Sequence, residues 1–230
     1  MTDPDNIVVQ LCVQGMQAET EGRDTRARDL FRQAWDAAQD DYDACIAAHY
    51  LARHQATPQE TLRWNQECLN RADKVGDGRV RGFYASLHGN MARAHRDLGQ
   101  IDQAREHFES AAEHIDDVPA GPHQQWLRYR IAAGLRATAR SAPQHDDPVS
   151  ELLTGLCART DLEALSLLLP PYMGSLGTSE DEERITTALR MLHSERRLPD
   201  EQQTVLSRAI KVRSAGQGRQ ERSRPTTRSR

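Results

Sequence analysis

Small and aromatic residues recur in this chain at a fixed set of steps. They fall at Gly15, Gly22, Ala27, Phe31 and Ala34, and again, 77 positions later, at Ala92, Gly99, Ala104, Phe108 and Ala111. The steps are 7, 5, 4 and 3 in both copies. A helical hairpin explains them. A small residue stands where the second helix crosses the first closely, Gly ends the first helix in a left-handed turn, and Ala, Phe and Ala form one face of the second. Such a hairpin cannot bury its apolar face alone, so it has to stack on others of its kind.

The offset leaves room for a less regular hairpin between the two copies. Its first helix is "DYDACIAAHYLARHQ" and its second is "TPQETLRWNQECLNRADKV", with Thr57 as N-cap, Pro58 in the first turn and Glu60 completing a capping box. "GDGR" is the loop that follows. Beyond "DVPAGP", the segment "HQQWLRYRIAAGLRATARS" predicts a long amphipathic helix with Trp126, Leu127, Ile131 and Leu135 on or near one side, placed to cap the stack. "APQHDDP", residues 142–148, is a linker by its Pro and Asp content.

The second half predicts helices at 149–158, 161–169, 180–197 and 201–213. Capping boxes are expected at Thr160 with Glu163 and at Ser179 with Glu182, and chain breaks at Pro170-Pro171 and Pro199. Residues 214–230 are expected to form a disordered basic tail. The fold class is therefore all-α: stacked antiparallel helical hairpins over 6–141, the linker 142–148, and a smaller helical C-terminal domain over 149–213.

Composition fits that reading, because Ala, Leu, Arg, Glu and Gln, all good helix formers, dominate and aromatics make up only 5%. Charge adds an asymmetry: residues 211–230 carry a net of +6, whereas the first 210 carry −10. The body is acidic and the tail basic. Cys12, Cys45, Cys68 and Cys157 form no C-x-x-C pair and read as thiols packed like small apolar residues. No stretch approaches a membrane span and the start lacks the basic opening of a secretion signal, so a cytoplasmic location is expected.

The spacing resembles the tetratricopeptide repeat, TPR. Met91-Ala92, His95, Leu98-Gly99, Ala104, Phe108 and Ala111 take the family's positions, with His95 where Tyr is usual, and with Gln14 and Ala18 in the first copy where Leu and Tyr are usual. The long repeat is similar to those of bacterial regulatory proteins and spindle-orientation adaptors, and the resemblance covers roughly residues 6–118. It implies an α-solenoid whose first helices line a concave groove that holds ligand peptides. On that mapping the inward positions are Cys12, Met16 and Glu19, then Ile46, Tyr50, Arg53 and His54, then Ser86, Gly89, Asn90, Arg93 and Arg96. Tyr50, Arg53, His54, Asn90, Arg93 and Arg96 are the candidate peptide-binding residues. Amide and guanidinium groups there suit a peptide backbone and carboxylates. An ordinary solvated helix face, balanced by nearby acids, accounts for the same residues equally well.

Other constellations point away from catalysis. "GDGRVRG" has its third glycine one residue too late for a dinucleotide loop and follows a helix. His88 with His95, and His107 with His114, are seven residues apart, about 10 Å along a helix and too far for one zinc ion. Asp40-Asp41, Asp116-Asp117 and Asp146-Asp147 sit in turns or linkers, where nothing raises a carboxyl pKa. "MGSLG" is not a nucleophile elbow, since Met173 stands two before Ser175.

The resulting expectation is a non-enzymatic adaptor or regulatory scaffold with no cofactor and no metal site, binding a protein or peptide with acidic groups. Two alternatives stand beside it: a nucleic-acid-binding regulator using residues 178–213 and the basic tail, and an accessory subunit of an enzyme.

Overall fold

The computed structural model describes residues 6–140 and 147–222, with side chains through residue 214. Among the described residues there are eleven α-helices, two short 3-10 turns and no strand. The chain divides after Thr138 into two compact units.

The first unit holds α1 (Ile7–Thr20), α2 (Asp24–Asp36), α3 (Asp41–Leu51), α4 (Pro58–Val75), α5 (Arg81–Asp97), α6 (Ile101–Glu113) and α7 (Pro122–Ala137). Turns of 3-10 helix at Ala52–His54 and Ile115–Asp117 follow α3 and α6. α1 packs on α2, α3 on α4 and α5 on α6, while α2 meets α3, α4 meets α5 and α6 meets α7. α1 also lies against α3, and α5 against α7.

Both sequence copies fold by the same local device. Gly22 has φ +70° and Gly99 has φ +75°, the left-handed region that a side chain disfavours. Just beyond them the Arg23 amide donates to the Ala18 carbonyl at 2.8 Å, and the Gln100 amide to the His95 carbonyl at 2.9 Å. These bonds close the C-terminal motif of α1 and α5 and turn the chain into the next helix. The buried phenylalanines then explain the small partners. A Cβ on Gly15 would stand 2.3 Å from Phe31 Cε1, and one on Gly134 would stand 2.2 Å from Phe108 Cζ. Each ring occupies the space that a neighbouring side chain would need.

The middle hairpin keeps its expected N-cap, as Thr57 Oγ1 accepts from the Glu60 amide at 3.2 Å. The Glu60 carboxylate, however, accepts from the Thr57 hydroxyl at 3.1 Å and does not return to the backbone, so the box is only half formed. On α7, Leu127 and Ile131 are buried as expected, but Trp126 is 50% exposed. At 100° per residue it lies too far from the buried stripe to join it.

The second unit holds α8 (Pro148–Ala158), α9 (Leu162–Met173), α10 (Ser179–Glu195) and α11 (Asp200–Arg222). α8 and α10 each pack on both α9 and α11, around Leu152, Leu156, Leu168, Ile185, Leu189, Leu192 and Leu206. Several details differ from the sequence reading. Thr160 adopts φ +56° in the α8–α9 turn, and Asp161 caps α9 in its place by accepting from the Ala164 amide. The box on α10 begins one residue early, with Thr178 and Asp181. Pro170 and Pro171 lie within the last turn of α9, each without the N–H that would bond the carbonyl four residues earlier, and the helix still runs to Met173. α11 continues through Arg222, so residues 214–222 are helical; Ser, Ala, Gln, Arg and Glu there outweigh two glycines. Of the expected linker, Asp147 and Pro148 cap and open α8, while residues 142–146 lie outside the described residues, as do 223–230 of the expected tail.

Candidate functional site

The six candidate residues of the first unit fall into two groups that share Arg53. In the first group, Tyr50 lies stacked against Phe31 with centroids 5.1 Å apart, and the Arg53 guanidinium stands 4.9 Å over the Tyr50 ring. Glu19 of α1 accepts from His54 Nε2 at 2.6 Å and pairs with Arg53 through its other oxygen. Burial raises the Tyr50 pKa. These side chains tie α1 to α3, and Tyr50 and His54 are used up in doing so.

The second group opens to a cleft of about 360 Å³ lined by Arg53, Asn90, Arg93, Asp97 and Arg130, with Thr57, Pro58 and Thr61 from the start of α4 and the turn before it. Helical geometry sorts α5 cleanly. At 100° per residue, Asn90, Arg93 and Asp97 fall within about 60° of one another, whereas Arg96 is displaced by about 120° from Asn90. Arg96 does not line the cleft and stands 3.8 Å from the Asp97 carboxylate.

Arg130, on α7, is the residue that sequence reasoning missed. Its guanidinium lies 4.4 Å from the centroid of the exposed Trp126 ring, and His123 stacks on that indole with ring centroids 5.8 Å apart. Burial, reinforced by the positive charges of Arg93 and Arg96, pushes its pKa down to about 10. The signal was present: His123, Trp126 and Arg130 are spaced 3 and 4 apart, which is one helical stripe, about 90° around the helix from the buried Leu127 and Ile131.

Charge in the cleft is unbalanced. Glu19 offsets Arg53 and Asp97 stands beside Arg96, but Arg93 and Arg130 have no carboxylate or hydrogen-bond partner among the described residues, and neither does the Asn90 amide. Nearby on α3, His49 Nδ1 is buried without a partner. Burial, then the charges of Arg53 and His123, hold its pKa down to about 4.

No nucleophile with an adjacent base occurs in this cleft, and among the described residues no group of three or more His, Cys, Asp and Glu is placed to hold a metal ion. Chemically, the cleft offers two unmatched guanidinium groups, one free amide and an exposed indole beside them. No protein-family model matches the chain, and no curated protein or solved structure is significantly similar to it.

Proposed function

We propose that the chain is a non-enzymatic protein-binding adaptor whose cleft, formed by the 3-10 turn after α3, the start of α4, α5 and α7, takes an acidic segment of a partner protein. The observation that carries this reading is the unmatched pair Arg93 and Arg130. Arg130, half-buried, repelled by Arg93 and Arg96 and left without an acceptor, is stabilised by any carboxylate that reaches it. Asn90 supplies a donor and an acceptor for the backbone of an extended segment. Trp126 supplies apolar contact area of the kind enriched where proteins bind one another. The resemblance of residues 6–118 to TPR hairpins supports the same face as the binding face.

The nucleic-acid alternative finds less support. On α11, Arg208 pairs with Glu151, and Arg213 with Glu182, so these cations already have internal acids. The helix also opens with Asp200 and Glu201, which repel phosphate.

A photo-reactive residue in place of Thr61, at the rim of the cleft, tests the proposal in native lysate. The expected result is capture of a specific protein, with the crosslink mapping to a segment rich in Asp and Glu. No specific capture, together with turnover of a small molecule by the purified chain, would overturn it.

A further inference from the structure

Four histidines lie in one continuous row where α5 meets α6. His95 stacks on His107 with centroids 5.1 Å apart and planes 12° from parallel. His107 meets His88 at 5.2 Å, His88 lies parallel to His114 at 6.1 Å, and Tyr84 closes the row on His114 at 5.0 Å. The row combines the two seven-residue spacings of the sequence, so the neighbours that matter belong to different helices. On α5 it faces away from the cleft: His88 and His95 are about half a helical turn from Asn90 and Asp97.

Within the row one contact differs from the rest. His95 Nδ1 is engaged by the Gln100 side-chain oxygen at 2.7 Å, and His114 Nδ1 by the Asp117 carboxylate at 3.0 Å. His88 and His107 turn their Nδ1 atoms toward each other, 3.0 Å apart. One of these nitrogens carries a proton and the other accepts it. Moving that proton to Nε2 of its own ring frees both Nδ1 lone pairs at once, with no net loss of a proton from the pair. No bond made by Nε2 of either ring is found among the described residues.

We propose that His88 and His107 form a two-histidine chelate for a divalent transition-metal ion of the Cu(II) or Ni(II) class, clamping α5 to α6. With metal–imidazole bonds of about 2.0–2.1 Å, two nitrogens 3.0 Å apart subtend about 95° at the metal. That angle suits adjacent positions of a square-planar or octahedral ion, whereas a tetrahedral zinc ion needs nitrogens about 3.3–3.4 Å apart. Because no third protein ligand is in place, water completes the coordination sphere, and affinity is modest compared with a closed structural site. Of the acids around the row, Asp73 of α4 accepts from the Tyr84 hydroxyl at 2.8 Å and Asp117 engages His114, while Glu106 lies near His107.

Isothermal titration of the full chain with NiCl₂ in a non-chelating buffer, with MgCl₂ as control, tests the chelate. The expected result is one equivalent of Ni²⁺ bound and no binding of Mg²⁺. His88→Gln and His107→Gln should each weaken the nickel site on the order of tenfold or more. His193→Gln, in the second unit, should leave it unchanged. No nickel binding by the wild type, or equal binding by the pair variants, overturns the proposal. Should a pair variant fail to fold, the Cu(II) EPR spectrum of the wild type at one equivalent decides. Coupling to two imidazole nitrogens supports the chelate, and coupling to one or none overturns it.

Discussion

At the scale of single residues, His49 makes the clearest demand on the fold. Its pKa is pushed from the ordinary 6.5 to about 4, so the native state holds the ring neutral. Below about pH 6.5 the unfolded chain takes up a proton that the folded chain refuses until near pH 4. Stability is therefore full above the first value and is lost as pH falls toward the second, by on the order of 3 kcal/mol for this group. His49→Phe keeps an aromatic ring beside Tyr50 and Phe83 and removes the titration along with an unpartnered buried nitrogen. Urea midpoints between pH 8 and 4.5 should fall less steeply for the variant than for the wild type; parallel slopes would contradict the assignment. The thiols give a second outcome. Cys157 is exposed, whereas Cys12, Cys45 and Cys68 are buried, with burial pushing the Cys12 thiol up to about 12. Native protein should therefore react with a thiol reagent at one site and denatured protein at four, and mass spectrometry would show it. Tyr50 and His54 were marked for a ligand because the TPR resemblance maps them to inward positions. That Glu19 and Phe31 already satisfy them depends on the packing of α1 and α2 against α3, which no local pattern encodes.

Elements were the most legible scale, and the reason is periodicity. The shared steps of 7, 5, 4 and 3 correspond to physical events in the structure: the left-handed turns at Gly22 and Gly99, the buried Ala27 and Ala104, and the rings of Phe31 and Phe108. Gly99→Val should cost at least about 1–2 kcal/mol from the left-handed φ alone. Gly15→Val meets the Phe31 ring and should cost about 1–3 kcal/mol through overpacking. Ala104→Arg, placing a charge at a site with no exposure, should cost the most of the three. Denaturant unfolding ranks them, and an unaltered midpoint for Ala104→Arg would refute the shared-hairpin account. Helix ends were less legible. Thr160 and Asp161 are both competent caps, and only the positive φ of Thr160 gives the role to Asp161. Pro170-Pro171 looked like a stop, but α9 carries both prolines inside it and ends only at Met173.

For the whole molecule, the two units and the all-α class follow from helix-forming composition together with hydrophobic patterning, and among the described residues no helix is long and apolar enough to cross a membrane. The cleft was only half legible, since Arg53, Asn90 and Arg93 were among the inward positions that the TPR resemblance implies. Arg130 was not, because it depends on α7 lying against α5. The same arrangement leaves two positive charges without internal partners in an otherwise acidic body, and it is the physical basis of the proposed acidic ligand. A titration of the crosslinked partner segment, followed by fluorescence anisotropy, against wild type, Arg93→Ala and Arg130→Gln tests this most directly, with thermal melts of the same samples in parallel. A charged hydrogen bond contributes about 1.5–3 kcal/mol, so each variant should bind about ten- to a hundredfold more weakly. Arg93 is exposed, so Arg93→Ala should change stability by less than about 0.5 kcal/mol. Wild-type affinity in both variants, or a loss of helicity in Arg93→Ala as severe as that of Ala104→Arg, would contradict the account.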